Sequence, residues 1–432
     1  MKILIIVPYA PTLIRTRPHN LLRSLLRRGH RVTLATLWET ETERQMLADL
    51  ARTGIEVVCE RLDRLRIARN VAGGLAGSKP LQAVYCWEPN LARSISRLVS
   101  APADPFDIVH VEHLRGAEYG RHAQRALRRA GHSTPVVWDS VDCISLLFEQ
   151  AVRYSRSRFG RWMTRWELPR TRRYEGAAVR FFGQVLATSH KDQLALETLA
   201  AGGAPKTGTG QPPRAAERVT VLPNGVDVDY FVPDQVLPLG GHIVFTGKMS
   251  YHANVTAALH LLSDIMPLVW QRLPQAKVVI AGSAPAPAIR AEADRHGPRV
   301  TVTGYVPDLR PFLQPAGVAV APVRYGAGIQ NKVLEAMACA VPVVASAQAS
   351  SALQAQPGRE LLVAETAEGF AAEIVALLEE GSRRTQIGKA GRQYVLRRHQ
   401  WDQIAADLEH FYYAAGSQAN RLAPLTAEGG RS

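Results

Sequence analysis

The stretch Tyr325–Ser346, YGAGIQNKVLEAMACAVPVVAS, decides the fold. Gly326 and Gly328 precede a run with apolar residues at helical spacing, and Val341-Pro-Val-Val-Ala then reads as a short strand buried on both faces. A glycine loop, a helix and an apolar strand make one unit of a parallel sheet covered by helices. Lys332 and Glu335 lie one turn apart in that helix. Glycines before a helix let backbone N–H groups approach an anion, and a lysine in the same place adds a point charge to phosphates. A carboxylate one turn on only accepts hydrogen bonds, which suits two neighbouring sugar hydroxyls. The order therefore describes a site for a nucleotide diphosphate with its ribose. The plainer reading is an exposed i, i+3 ion pair.

The same alternation extends on both sides. HIVFTG (His242–Gly247), KVVIAG (Lys277–Gly282), VTVTGYV (Val300–Val306), VAVAPV (Val318–Val323) and ELLVA (Glu360–Ala364) read as parallel strands between helices. An earlier set does so too: KILIIVP (Lys2–Pro8), RVTLATL (Arg31–Leu37), GIEVVCE (Gly54–Glu60), FDIVHVE (Phe106–Glu112), TPVVWDS (Thr134–Ser140) and GQVLATS (Gly183–Ser189). Between the sets, Leu199–Val219 is rich in Gly, Pro and small residues and reads as a linker. The expected fold is α/β, two tandem Rossmann-like doubly wound domains facing a central cleft. The first domain covers 1–215 and the second 216–395. A helix over 396–416 carries Trp401, Ile404, Leu408, Phe411 and Tyr412 on one side and is expected to cross back onto the first domain. Residues 417–432 read as a disordered tail.

Composition agrees with that size. The chain has 432 residues, 46% of them hydrophobic, enough for more than one core. No apolar run approaches the ~20 residues needed to span a bilayer. The run after Met1 breaks at Pro8 without a small-residue cleavage site, so it reads as a strand and not a signal peptide. The 4 cysteines (Cys59, Cys86, Cys143, Cys339) are far apart, with neither zinc nor disulfide spacing, and a reducing cytoplasm fits. The net charge of +14 attracts anions such as nucleic acid, anionic lipid or phosphorylated metabolites.

Strand ends in the second half carry the candidate donor residues: Gly247 and Lys248, Gly282 and Ser283, Tyr305 and Val306, and the glycine loop with Lys332 and Glu335. With LPNGVDVDYFVP (Leu222–Pro233), VFTGKMSYHANVTAAL (Val244–Leu259) and VTGYVPDLRPFL (Val302–Leu313), these segments resemble the retaining family-four glycosyltransferases of the GT-B fold. The similarity is nearest the branch acting in bacterial exopolysaccharide assembly. The resemblance implies that Lys248 and Lys332 face the donor diphosphate, Glu335 the ribose, and the backbone at Tyr305 and Val306 the base. It also implies transfer from a nucleotide diphosphate sugar with retention, by front-face attack assisted by the leaving phosphate, with no cofactor and no metal. The acceptor is expected to be a glycan or lipid-linked, and the enzyme cytoplasmic or peripheral on the inner face of the plasma membrane. Two departures stand out. Many members have a glutamate where Ala327 stands, and a Gly-Gly pair where this chain has APTLIRTRPHN (Ala10–Asn20), so Arg15 or Arg17 is expected to supply charge to the phosphates, Arg17 by preference.

On the acceptor side, His110, Glu112 and His113 close one strand and Asp139 and Asp142 the next. His113 and Asp142 are the preferred residues for orienting or deprotonating a hydroxyl; His110 reads as structural and Asp139 equally as a helix cap. The stretch Val152–Arg173 holds 8 arginines against one acid, Glu167, with Phe159, Trp162, Met163 and Trp166 on one helical face. Pro169 is expected to end that helix. Such a helix either lies on an anionic membrane or packs on a core or cleft. The rival functions are a nucleotide-sugar epimerase of the same architecture and a non-enzymatic polyanion binder. An NAD enzyme is disfavoured without GxGxxG, and nucleic acid without any RNA-binding signature.

Overall fold

The computed structural model of the protein describes residues 1–12, 15–101, 104–154, 158–202, 218–233, 242–326 and 328–422. The chain divides into two compact units, one of Met1–Ser145, Trp166–Leu222 and Ile404 onward, the other of Leu146–Arg165 and Pro223–Gln403.

The first unit is built on β1 (Lys2–Val7), β2 (Arg31–Trp38), β3 (Glu56–Arg61), β4 (Ile108–Glu112), β5 (Val136–Val141), β6 (Val185–Ala187) and β7 (Val219–Val221), in the order β3-β2-β1-β4-β5-β6-β7. All pairings are parallel, with Ile5 opposite His110 and Glu112 opposite Asp139. β1 is buried from Ile3 to Val7, as a β-branched run covered on both faces must be. Local signals set the helices. Thr40 accepts from the Glu43 amide at 3.2 Å while Glu43 accepts from the Thr40 amide, a reciprocal cap that starts the helix Glu41–Ala51.

The second unit is built on β8 (His242–Thr246), β9 (Lys277–Ala281), β10 (Val300–Gly304), β11 (Val318–Ala321), β12 (Val343–Ala345) and β13 (Leu362–Val363), in the order β10-β9-β8-β11-β12-β13. Its core runs from Ile243, Phe245 and Ile280 through Val320 and Leu334 to Phe370 and Ile374.

Several expectations need correction. Val219, read as the end of the linker, instead opens the edge strand β7; residues 203–217 of that stretch lie outside the described ones. The helix Arg158–Phe182 runs through Pro169 instead of ending there. The proline forfeits one backbone hydrogen bond, and the buried face formed by Glu167, Thr171, Tyr174 and Glu175 holds the helix across the gap. The last helix begins at Trp401, not Leu396, because His399 leaves helical geometry and the next residue, Gln400, bridges to Val226. From Ile404 it belongs to the first unit, with the Tyr412 hydroxyl 2.9 Å from His110 Nδ1, and it continues past Gly416 to Leu422. The rest of the expected tail lies outside the described residues. The 4 cysteines are free. Among the described residues no helix is long and apolar enough to cross a membrane.

Candidate functional site

Chain order reverses in the second sheet between β8 and β11, and ligands of doubly wound sheets bind outside the strand ends at such a switch point. Gly247 with φ +146° follows β8, and Gly282 with φ +149° follows β9. A Cβ on Gly282 would lie 1.8 Å from the Gly247 carbonyl oxygen, so no side chain fits where the two turns meet. Beyond β11, the loop through Gly326 and Gly328 (φ +62°) leads into the helix Asn331–Ala338, whose N-cap, Gln330, makes no side-chain capping bond.

Lys332 sits in the first turn of that helix and reaches back to the β8 turn. Its ammonium donates to Asn254 Oδ1 at 2.7 Å, and Asn254 Nδ2 donates to the Lys248 carbonyl at 3.0 Å. A Cβ on Gly247 would be 3.3 Å from Lys332 Cε. Lys332 does not ion-pair with Glu335, which removes the exposed i, i+3 pair as an explanation. Burial pushes Lys332 down to about 8 and Glu335 up to about 7, each offset in part by the other's charge. The ammonium also lies 3.5 Å from Gln330 Oε1 and 5.3 Å from the centre of the Phe245 ring, and a cation at the positive end of a helix dipole with neutral partners is an arrangement that an anion stabilises.

The other donor candidates are placed less uniformly. Lys248 is exposed at the same turn. Tyr305 is 71% exposed and Val306 half-buried, both beyond the edge strand β10. Gly326 departs from expectation: its N–H already donates to Gln150 Oε1 at 2.9 Å, and its carbonyl accepts from Gln348 at 2.9 Å, so it fixes the loop instead of offering an amide to phosphate. Ala327 lies outside the described residues. Sequence reading missed Asn254 and Gln150, although Asn254 lies inside the quoted stretch Val244–Leu259. Asp227 accepts from the Asp229 and Tyr230 amides and closes a turn. Among the described residues no group of three or more His, Cys, Asp or Glu side chains could hold a metal ion.

In the first unit, Arg17 is corrected. It is 4% exposed, donates to Asp139 Oδ2 at 2.9 and 2.7 Å and to the Leu222 carbonyl at 3.1 Å, and so its charge is spent inside the unit. Asp139 is correspondingly neither base nor helix cap, with Arg17 on one side and His110 Nε2 at 3.6 Å. His113 and Asp142 stand at the ends of adjacent strands, as expected. His113 (φ +67°) and Val141 (φ +64°) both have left-handed backbones, costing of order 1–2 kcal/mol each, and such strain gathers at functional sites. The Arg115 amide donates to His113 Nδ1 at 3.3 Å, which leaves the ring proton on Nε2. Burial and the nearby Arg115 push His113 down to about 3. It is thus a neutral N–H donor, suited to orienting a hydroxyl oxygen and not to taking its proton. Asp142 accepts from Thr188 Oγ1 at 3.1 Å, and burial with the Asp192 carboxylate beside it raises its pKa, so it holds a proton more readily than an ordinary aspartate.

Residues 240–380 match the family model of the glycosyl transferases group 1. Two mannosyltransferases of Mycobacterium tuberculosis are similar over part of the chain. The phosphatidyl-myo-inositol mannosyltransferase is 29% identical over 215 residues, 46% of this chain and 55% of its own. The GDP-mannose-dependent alpha-(1-6)-phosphatidylinositol monomannoside mannosyltransferase is 29% identical over 217 residues, 45% and 56%. The chain spans about half the length of the curated relatives it matches. Among solved structures, Anabaena HepE in complex with UDP and glucose has a TM-score of 0.66 at 16% identity, over 96% of this chain and 100% of that one. Sucrose-phosphate synthase from Thermosynechococcus elongatus has 0.66 at 15%, over 97% and 100%. Residues 240–380 are thus similar to the glycosyl transferases group 1, and the two parallel-sheet units of the chain share the fold of these solved structures.

Proposed function

We propose that the chain is a retaining, metal-independent glycosyltransferase. It moves a sugar from a nucleotide diphosphate sugar to a hydroxyl of a glycan or lipid-linked acceptor in bacterial exopolysaccharide or envelope glycan synthesis. The observation that carries this reading is Lys332, a cation in the first turn of a helix beside the Gly247 turn, with no carboxylate paired to it among the described residues. The departing nucleotide diphosphate gains negative charge as the glycosidic bond breaks, and Lys332, Lys248 and the positive end of the helix dipole meet that charge. Glu335 accepts from the ribose hydroxyls, and the Tyr305–Val306 segment lies against the base. His113 Nε2–H orients the acceptor hydroxyl, whose proton passes to the leaving phosphate oxygen. The mannosyl transfer to phosphatidylinositol in the relatives' names and the UDP in the HepE structure support a nucleotide-sugar donor and a lipid-linked acceptor.

A panel of UDP and GDP sugars with short lipid and glycan acceptors, read by release of nucleotide diphosphate, tests it. Lys332→Ala should lower turnover by about 10²–10³, the usual loss for a group facing developing oxyanion charge. No nucleotide release with any donor, or Lys332→Ala within a few-fold of the parent, overturns the reading. Retained configuration is read from the anomeric proton of the product, and metal independence from unchanged turnover in chelator.

A further inference from the structure

The first unit has its own switch point, between β1 and β4, and the proposed transfer uses only His113 there. The loops after these strands carry Tyr9, Arg15, Glu112 and His113, and Arg115 follows in the first turn of the helix His113–Arg129. Most charges at this crevice cancel. Arg17 is spent on Asp139. Arg15 donates to the Ala10 carbonyl at 3.0 Å and lies 3.4 Å from Glu43. Glu112 is 2% exposed, accepts from the Tyr9 hydroxyl at 2.7 Å, leaves Oε2 without a hydrogen-bond partner, and is pushed up to about 8 by burial and by Asp139 beside it. It is therefore mostly neutral at pH 7, as is His113.

Arg115 remains. Its guanidinium lies 5.2 Å from the centre of the Tyr85 ring and 5.8 Å from that of Tyr9, so aromatic faces fix its position. It makes no ion pair among the described residues, and its buried Nε has no hydrogen-bond partner. It also stands at the positive end of a 17-residue helix whose N-cap makes no side-chain capping bond. An unpaired guanidinium at the start of such a helix has the donor geometry for a tetrahedral oxyanion.

We infer that Arg115 is a specificity-determining residue that takes a phosphate ester of the acceptor in the crevice at the carboxyl ends of β1 and β4. Calling the ligand an acceptor rests on the transferase reading; the binding itself does not. The test is calorimetric titration of the full chain with saturating UDP or GDP present, so that phosphate cannot enter the site at Lys332. The probes are glycerol 1-phosphate, dihexanoyl phosphatidylglycerol below its micelle concentration, glycerate and glycerol. Binding of both phosphate probes identifies the phosphate as what is read, and binding of the lipid ester alone identifies a lipid headgroup. Either supports the inference if Arg115→Gln weakens binding at least tenfold, Arg115→Lys recovers part of it, and nucleotide affinity is unchanged. Should Arg115→Gln melt early, Tyr85→Leu, which frees the guanidinium without removing charge, is expected to weaken binding several-fold. Equal binding to parent and variants, glycerate bound as tightly as the phosphate, or no phosphate binding while nucleotide still binds overturns the inference, and the last result leaves the transferase reading intact. Arg115-dependent phosphate binding in a protein that releases no nucleotide would sink the transferase reading alone.

Discussion

At the scale of single residues, burial decides which charges are available. Lys332 and Glu335 are shifted toward each other, to about 8 and about 7, so both are ionised only in a narrow window. The pH dependence of kcat/KM reports the free enzyme. On the proposed donor assignment it should fall below pH about 7, where Glu335 takes a proton, and above about 8, where Lys332 loses its charge. Glu335→Gln should remove the acid limb and Lys332→Arg the alkaline one; a profile unchanged in both variants contradicts the assignment. Arg17 gives the opposite lesson, a cation whose role is structural. Arg17→Met leaves Asp139 buried without its partner, which costs about 3–5 kcal/mol. The expected result is a large fall in melting temperature, mostly recovered in Arg17→Met with Asp139→Leu. A single variant that melts like the parent would show the pair to be dispensable.

At the scale of elements, the helix Arg158–Phe182 has two characters. From Trp166 on it is counted with the first unit, with Trp166 under the Arg170 guanidinium at 3.6 Å and Tyr174 and Glu175 buried. Before that, Trp162 is 62% exposed between the exposed Arg161 and Arg165. Arg156 lies outside the described residues. An exposed tryptophan among arginines suits an anionic interface, where each basic residue adds about 1 kcal/mol. Co-sedimentation with anionic liposomes at low salt should therefore exceed that with neutral ones and be lost in Trp162→Glu. Equal and negligible binding to both liposomes would leave that tryptophan as ordinary surface.

At the scale of the whole molecule, two sheets with separate cores are the reason to expect unfolding in more than one step. Nucleotide bound at Lys332 should raise only the transition of the second unit, by about 2.7 kcal/mol at a hundredfold excess over Kd. Tyr412→Ala, which removes the partner of His110, should lower only the other. Calorimetry with UDP and with GDP checks this; one transition moved equally by both changes would mean a single cooperative unit.

Much of this was legible before any coordinates. Runs such as Ile3–Val7 and Val318–Ala321 can only be strands covered on both faces, and their alternation with helices specifies parallel sheets. The glycines before Lys332 and Glu335 were legible as the entry to the helix that carries both side chains, because a tight turn leaves its trace in neighbouring letters. Partners were not legible. Arg17 and Asp139 are 122 positions apart, and Lys332 and Asn254 are 78 apart. Whether an arginine is spent, as at Arg17, or left unpaired between aromatic rings, as at Arg115, depends on which strand ends the sheet order brings side by side. Periodicity reports how each segment packs, and the sequence by itself determined that much. Long-range pairing is chosen only when the segments compete for one core, and that choice belonged to the tertiary structure.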